Sequence, residues 1–110
     1  MKKRYPLVSV VVVNYNGKNF LKDCFDALCA SNYPKSRMEI IMVDNCSLDG
    51  SVEYIKKSYP KVKIIENDVN NYCRANNLGI TRAKGKYVAF LNNDTSVDRN
   101  WLVELVKVIE

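Results

Sequence analysis

The stretch YVAFLNNDTSV, residues 87–97, begins as a strand and ends in polar side chains. Tyr87–Leu91 is aromatic and apolar, which is typical of a buried strand, and Asn92, Asn93 and Asp94 follow it directly. A strand that ends in two amides and a carboxylate either enters a turn or holds a ligand. Taken alone, these residues fit an Asx turn as well as a partial ligand set for Mg²⁺ or Mn²⁺.

Three more segments predict strands, and helical patterns separate them. Val8–Val13, Met38–Val43 and Val62–Ile65 are rich in β-branched or apolar residues. The resulting order β-α-β-α-β-α-β-α predicts an α/β fold. Its mostly parallel, Rossmann-like sheet has helices on both faces, and ligands of such sheets bind beyond the carboxyl ends of the strands.

The helices are predicted from apolar residues that recur at helical spacing. The first helix directs inward Phe20, Leu21, Cys24, Phe25, Leu28 and Cys29. Ser47 or Asp49 is expected to cap the second helix, and the third is expected to end at Gly85 as a left-handed cap. The last helix is expected to direct toward the core Trp101, Leu102, Leu105, Val106 and Ile109.

Polar segments follow the first, second and fourth strands. NYNG, residues 14–17, fits a plain turn as well as a ligand contact. In DNCSLDG, residues 44–50, Asp44 either accepts a hydrogen bond from a nucleobase or ribose or caps nearby amides. The sequence contains neither G-x-G-x-x-G nor a Walker pattern, which disfavours dinucleotide dehydrogenases and P-loop enzymes.

Length and composition limit the possible classes of protein. The 110 residues suffice for one domain, and 17 Lys and Arg against 12 Asp and Glu favour anionic ligands. The basic residues are scattered apart from residues 2–4, so nucleic-acid binding is not expected. The absence of histidine excludes Ser-His and Cys-His nucleophile chemistry. Four cysteines without a C-x-x-C pair predict reduced thiols and a cytoplasmic protein, and no membrane span is expected.

Four segments in order and spacing resemble the nucleotide-binding half of family 2 glycosyltransferases. They are VSVVVVNYNG, IIMVDNCSLDGSVEYI, NNLGI and GKYVAFLNNDTSVDRNWLVELV, and together they cover the chain from Val8 to its end. The N-N-D in place of D-x-D resembles the rhamnosyltransferase-type subgroup. The resemblance implies a GT-A fold, a nucleotide-diphosphate sugar donor and a divalent metal, Mn²⁺ or Mg²⁺.

The resemblance also implies roles for individual residues. The positions implied to contact the nucleotide are Asn14, Tyr15, Asp44, Asn76 and Asn93. Of these, Asn14 and Tyr15 would lie beside the base, Asp44 would hydrogen-bond it, and Asn93 would lie near the ribose. Asp94 would bind the metal that bridges the two phosphates.

This chain departs from the family pattern at two places. Asn71 occupies a position where glycine is common, so a positive φ is expected there, and Arg74 would either contact a phosphate or block the pocket. The family's acceptor-binding segment and general base lie beyond the N-N-D region, so residues 1–110 correspond to the donor half alone.

Three alternatives follow from these observations. The chain is the donor half of a glycosyltransferase that needs the missing half for transfer, or a non-catalytic nucleotide-binding or partner module. A receiver-like or flavodoxin-like domain is disfavoured because Asp44 has no acidic neighbour. The uncovered sheet edge or the Trp101 helix is expected to allow self-association.

Overall fold

The computed structural model describes residues 5–110, and residues 2–4, with their basic cluster, lie outside that range. The four strands are β1 (Val8–Asn14), β2 (Met38–Asn45), β3 (Lys63–Asn67) and β4 (Tyr87–Asn92). They form one sheet in the order β3-β2-β1-β4, and all neighbouring pairs are parallel. The prediction of a parallel sheet is therefore confirmed.

Four helices connect and cover the strands. They are α1 (Lys18–Cys29), α2 (Ser51–Ser58), α3 (Tyr72–Arg82) and α4 (Trp101–Ile109), and a 3-10 turn spans Lys35–Arg37. Helices α1, α2 and α4 pack on one face of the sheet, while α3 packs on the other. No helix within residues 5–110 has both the length and the apolar character that crossing a membrane requires. All four cysteines are free, and the cytoplasmic location stays a prediction.

The larger core lies between the sheet and the three helices α1, α2 and α4. Its fully buried side chains include Val10, Val12, Leu21, Phe25, Leu28, Ile55 and Leu102. Each such side chain stabilises the fold by about 1.5–3 kcal/mol relative to an exposed one. The opposite face has a smaller core, made of Val11, Ile41, Val43 and Ala75, because α3 alone covers it.

Helix positions were predicted more accurately than their inward-facing residues. In α1 the buried residues are Leu21, Cys24, Phe25 and Leu28, while Phe20 is 53% exposed and Cys29 is also exposed. In α4 only Leu102 and Val106 are fully buried, and Leu105 and Ile109 are 40% and 46% exposed. A helix on a sheet buries one narrow stripe, so the residues at its margins face solvent.

The prediction of a left-handed cap at Gly85 is wrong. Helix α3 ends at Arg82, and the next residue, Ala83, is extended with φ −69° and ψ 135°. Gly85 is needed for a different reason: a Cβ there would lie 2.6 Å from the backbone N of Ser9 and 2.7 Å from the carbonyl O of Tyr87. Close backbone approach, not a positive φ, selects glycine at this position.

Asn71 also differs from its prediction. Its φ is −131°, and its side chain accepts a hydrogen bond from the backbone N of Arg74 at 2.9 Å. Asn71 is therefore the N-cap of α3. Within residues 5–110 the residues with positive φ are Asn16, Cys46 and Gly50, in the loops that follow β1 and β2.

Glu39 is the centre of a buried polar cluster near the amino end of the sheet. Its Oε2 accepts hydrogen bonds from Ser9 Oγ at 2.5 Å and from the backbone N of Lys84 at 2.9 Å. Its Oε1 is paired with Lys63, and Ser9 Oγ accepts a bond from the backbone N of Gly85 at 2.9 Å. Burial raises the pKa of Glu39, but the donors outweigh it, so the net pKa is lowered.

Candidate functional site

Every strand of the sheet ends in an asparagine. Asn14, Asn45, Asn67 and Asn92 close β1 to β4, and they lie at the same edge because the strands are parallel. Three of them, Asn14, Asn45 and Asn67, are buried, and Asn92 is exposed. Buried amides need hydrogen-bond partners, so this edge concentrates donors and acceptors. This carboxyl edge is where the sequence predicted a site.

Asn14 links the ends of three strands. Its Nδ2 donates to Asp44 Oδ1 at 2.9 Å, and its Oδ1 accepts from Asn93 Nδ2 at 2.8 Å. Asn14 and Asp44 are 0% and 2% exposed, so the bond between them is shielded from water, while the bond to Asn93 is partly buried. The structure thus brings together three of the residues that the sequence singled out, from β1, β2 and the turn after β4.

Asp44 already has several donors within the protein. Its Oδ1 accepts from Asn14 and from Ser47 Oγ at 2.8 Å, and its Oδ2 accepts from the backbone N of Ser47 at 2.9 Å. The capping role considered from the sequence is therefore present. A carboxylate has about four acceptor positions, so one position on Oδ2 remains for a further donor.

Hydrogen bonds join the loop after β1 to the loop after β2. The backbone N–H of Asn16 donates a hydrogen bond to Ser47 Oγ at 2.8 Å. The side-chain Oδ1 of Asn16 accepts a hydrogen bond from the backbone N–H of Leu48, also at 2.8 Å. Asp49 Oδ2 accepts the backbone N of Lys18 at 3.0 Å, which joins this loop to the start of α1. These bonds fix the backbone on which the network is built.

Of the two residues predicted to cap α2, Asp49 binds the start of the helix and Ser47 does not. The helix begins at Ser51 after Gly50, which occupies the N-cap position with a φ of 85° and has no side chain. Ser47 instead holds Asp44 and Asn16, as described above. Asp49, which precedes the helix, accepts a hydrogen bond from the backbone N–H of Ser51 at 3.0 Å. Burial raises the pKa of Asp49, but its hydrogen bonds outweigh this effect, so the net pKa is lowered.

Gly17 allows the network to form. A Cβ at this position would lie 2.2 Å from Asn93 Nδ2 and 2.6 Å from Asn14 Oδ1, closer than any real contact. The glycine in NYNG is therefore required by the two amide side chains beside it. The sequence identified the segment but not this reason.

A cavity of about 320 Å³ adjoins the network. Two half-exposed aromatic side chains, Tyr15 and Tyr72, are part of its wall, with 49% and 58% of their surface exposed. The other residues that line it are Val13, Asn45, Asn70, Leu91, Asn92, Asn93 and Asp94. Tyr15, Asn93 and Asp94 therefore share one cavity, as the sequence predicted.

Three of the predicted nucleotide contacts, Asn14, Asp44 and Asn76, do not line this cavity. Asn14 and Asp44 are buried, whereas Asn76 lies on α3, and its buried Oδ1 has no hydrogen-bond partner in the described part of the chain. Its predicted contact with the nucleotide stays a prediction. Arg74 is exposed and lies 3.7 Å from Asp68, so it does not block the cavity.

Asp94 is the carboxylate that lines the cavity. Residues 5–110 contain no cluster of three His, Cys, Asp or Glu side chains that would hold a metal by themselves. A metal at Asp94 would therefore take its other ligands from a bound molecule and from water. Mg²⁺ and Mn²⁺ commonly bind in this way, through one or two carboxylates and the oxygens of a diphosphate, so the residues present fit such an ion.

Cys24 lies close to this edge but does not line the cavity. Its Sγ is 3.9 Å from the carbonyl O of Asn92. Burial, and secondarily the charge of Asp94, raises the pKa of the Cys24 thiol to about 11. The thiol is therefore protonated at neutral pH and is a poor nucleophile.

A second cavity, of about 370 Å³, lies elsewhere on the sheet, beside the start of β2. It is lined by Cys29, Lys35, Met38, Ile40, Ser58, Tyr59, Pro60, Lys61 and Val62. Although slightly larger, it has no carboxylate and is lined mainly by aliphatic and aromatic groups. The smaller cavity at the carboxyl edge is the candidate site because its polar groups converge.

The family of the chain is established by comparison with known proteins. Residues 9–110 match the model of Glycosyl transferase family 2, so the chain belongs to this family. It is 34% identical over 113 residues to Glycosyltransferase AglE of Haloferax volcanii, and 36% identical over 92 residues to a poly(ribitol-phosphate) beta-glucosyltransferase of Bacillus spizizenii. These alignments include 99% and 79% of this chain but only 37% and 14% of the relatives.

Solved structures confirm the GT-A fold. A crystal structure of Staphylococcus aureus TarS 1-349 in complex with UDP superimposes with a TM-score of 0.87 at 23% identity. The mannosyltransferase PcManGT of Pyrobaculum calidifontis, in complex with GDP-Man and Mn²⁺, superimposes with a TM-score of 0.86 at 25% identity. Each superposition covers 94% of this chain and 32% of the other.

Proposed function

We propose that this chain binds a nucleotide-diphosphate sugar in the cavity beside Tyr15, and that residues 1–110 are the donor-binding part of a glycosyltransferase. The observation that carries the proposal is the buried Asn14–Asp44–Asn93 network, which lies next to a cavity containing an exposed carboxylate, Asp94. The similarity to TarS with UDP and to PcManGT with GDP-Man and Mn²⁺ supports the same class of ligand.

In this proposal three of the predicted residues keep the roles that the resemblance implies. Asp94 holds Mg²⁺ or Mn²⁺, and such an ion, when bound, supplies positive charge to a departing diphosphate. Asp44 accepts a base N–H on the free position of Oδ2. Asn93, which Asn14 orients, is positioned near the ribose.

Sugar transfer requires more than donor binding. Direct displacement at the anomeric carbon also needs an acceptor and a base that takes its proton. Asp94 is the carboxylate that lines the cavity, and we assign it to the metal, so we assign no general base within residues 5–110. We propose that the acceptor site and the base belong to the segment that the longer relatives contain in addition.

The donor sugar and the role of this chain alone are finer proposals. The N-N-D pattern favours a rhamnosyltransferase-type donor, and this subgroup stays a prediction. The competing proposal is a non-catalytic module that binds the nucleotide or a partner. Release of sugar from the donor by the chain, with or without an added acceptor, would favour the enzyme.

Calorimetric titration with UDP, dTDP and GDP, with and without MnCl₂, tests the proposal. We expect at least one nucleotide to bind, and Mn²⁺ to strengthen its binding by about tenfold, or about 1.4 kcal/mol. Asp94→Asn should remove the effect of Mn²⁺ while the protein remains folded. Asp23→Asn, an exposed carboxylate on α1, is the matched control and should behave as the unmodified chain.

Two results would contradict the proposal. If none of the three nucleotides binds with or without Mn²⁺, the cavity is not a nucleotide site in this chain. If the effect of Mn²⁺ survives in Asp94→Asn, the metal is bound elsewhere.

A further inference from the structure

The side chain of Asn14 lies between a carboxylate and a second amide. Its Nδ2 donates to Asp44 Oδ1 at 2.9 Å, and its Oδ1 accepts from Asn93 Nδ2 at 2.8 Å. Asn14 is buried and does not line the 320 Å³ cavity, whereas Asn93 does. The influence of Asn14 on a molecule bound in that cavity is therefore exerted through its neighbours.

The carboxylate of Asp44 determines the orientation of the Asn14 amide. An ionised carboxylate only accepts hydrogen bonds, so Nδ2 of Asn14 must point toward it and Oδ1 must point toward Asn93. Asn93 then has to present its own Nδ2 to that oxygen. The orientation of both amides thus follows from one charged group.

The free oxygen of Asn93 is consequently an acceptor for a ligand. Nδ2 of Asn93 is bonded to Asn14, while its Oδ1 has no donor among residues 5–110 and is not buried. Asn93 lines the cavity together with Asp94. A ligand group that binds this oxygen must therefore donate a hydrogen bond.

We propose that Asn14 is a positioning residue: in an Asp44–Asn14–Asn93 relay it transmits the orientation set by the carboxylate, so that Asn93 offers an acceptor to the ligand. The part that concerns the ligand rests on the proposed function, in which Asn93 lies near the ribose, so the donating group is a ribose hydroxyl. The relay also gives a reason for asparagine at position 93. A carboxylate there would face Oδ1 of Asn14, and two facing acceptors cannot bond.

Exchanging the groups at the two ends of the relay tests it without a ligand. Asn93→Asp alone should raise the unfolding equilibrium constant at pH 7, measured in urea, by about tenfold, because two acceptors then face each other. In Asp44→Asn the new amide keeps its oxygen toward the backbone N–H of Ser47, which can only donate. Its NH₂ group then faces Asn14, whose amide turns round and can donate to a carboxylate at position 93.

The combined variant measures this coupling. The unfolding equilibrium constant of Asp44→Asn with Asn93→Asp should be about tenfold lower than the product of the two single effects predicts. Asp23→Asn, which removes an exposed carboxylate on α1, is the matched control and should not offset Asn93→Asp. In an Asn14→Ala background the coupling should vanish, whereas simple repulsion between two carboxylates would persist there.

Titration with UDP and with its dideoxy analogue, which lacks both ribose hydroxyls, tests the orientation of Asn93 in the presence of Mn²⁺. We expect the unmodified chain to prefer UDP by about tenfold, the effect of one hydrogen bond. Asp44→Asn, which turns the relay round, should reduce this ratio toward one. A lost contact with the base would weaken both ligands equally and leave the ratio unchanged, and Asp23→Asn should keep it. This comparison does not need the Asn14→Ala variant.

The outcomes separate this inference from the proposed function. If Asp44→Asn does not offset Asn93→Asp, or offsets it equally in the Asn14→Ala background, Asn14 does not transmit an orientation. Equal affinity of the unmodified chain for UDP and its dideoxy analogue overturns the acceptor role of Asn93, while nucleotide binding stands. If neither ligand binds, the proposed function fails, and the unfolding measurements still decide whether the relay exists.

Discussion

The two ends of the central sheet both contain buried polar side chains, but the hydrogen bonding of these groups differs. At the amino end, Glu39 accepts bonds from Ser9, Lys63 and the backbone of Lys84, and it lines no cavity of the site. At the carboxyl end, the network around Asn14 borders a cavity that Asn93 and the exposed carboxylate of Asp94 line.

This difference distinguishes a structural cluster from a binding site in physical terms. A buried polar group whose partners all lie within the protein holds the elements together and offers little to a ligand. Polar groups that line a cavity and keep unused hydrogen-bonding positions are available to a ligand. The same kinds of residue thus stabilise the fold at one end and line the candidate site at the other.

Two glycines, one at each end, give the largest expected contrast. Gly85→Ala would push a Cβ against the backbone of Ser9 and Tyr87, which cannot move aside. We expect it to lower the free energy of unfolding by about 3 kcal/mol, as for overpacked cores. In Gly17→Ala the new Cβ would first contact the side-chain amide of Asn93, which can move. We therefore expect this variant to lower the free energy of unfolding by only about 1 kcal/mol and mainly to weaken nucleotide binding.

Urea unfolding and UDP titration with Mn²⁺, applied to both variants, measure this contrast. The expected difference between the two ends of the sheet is contradicted if Gly17→Ala destabilises the fold as much as Gly85→Ala. It is also contradicted if Gly17→Ala binds UDP as well as the unmodified chain does.

We expect low pH to destabilise the fold through Glu39, at the amino end of the sheet. Because its pKa is lower in the folded chain, the carboxylate stabilises the fold fully above its ordinary pKa of 4.5. This contribution is lost as the pH falls through the lowered folded pKa. We therefore expect the free energy of unfolding to decline below about pH 4.5, measured by urea unfolding across pH 3 to 7.

Glu39→Gln isolates this contribution from that of other acids. The variant should be less stable at pH 7, because Lys63 loses its charged partner, and its stability should decline less steeply in acid. Equal slopes for the two proteins would mean that Glu39 does not carry the acid sensitivity.

The smallest effect is expected at the open edge of the sheet. In the described sheet β4 pairs with β1 and has no strand on its other side, and Phe90 is 45% exposed. Such an edge favours pairing with a second copy. We predict weak self-association at about 1 mM, which sedimentation at increasing concentration would detect and Phe90→Lys would abolish.

The last helix is the alternative surface for this contact. Trp101 packs against the core, so the exposed apolar residues of α4 are Leu105, Val108 and Ile109. If Val108→Lys rather than Phe90→Lys prevents association, the helix forms the contact. A chain that stays monomeric at the highest concentration would exclude both surfaces.

The strands and their parallel order could be predicted because β-branched apolar runs alternate with helical patterns along the whole chain. Helix ends and caps were less predictable. Gly85 and Asn71 both allow a left-handed backbone, yet one is selected by the nearby backbone of Ser9 and the other by a capping bond to Arg74. Such causes lie in tertiary contacts, which the local sequence does not specify.

The site was predictable to the extent that it follows the ends of strands. Asn14, Asp44 and Asn93 meet because parallel strands end at one edge, and this follows from the pattern. That Tyr72 also lines the cavity could not be predicted in this way. Its place there depends on where α3 lies over the sheet, which emerges only from the packed structure.

The left-handed residues have a consequence for the rate of binding. Asn16 and Cys46, which are not glycines, have positive φ in the loops after β1 and β2, so this edge holds unfavourable backbone conformations before any ligand arrives. The free-energy cost of these conformations is incurred when the chain folds, so ligand binding requires little further ordering of the two loops. Association should therefore proceed as a single step, with its speed set by diffusion and charge and not by a slow rearrangement of these loops.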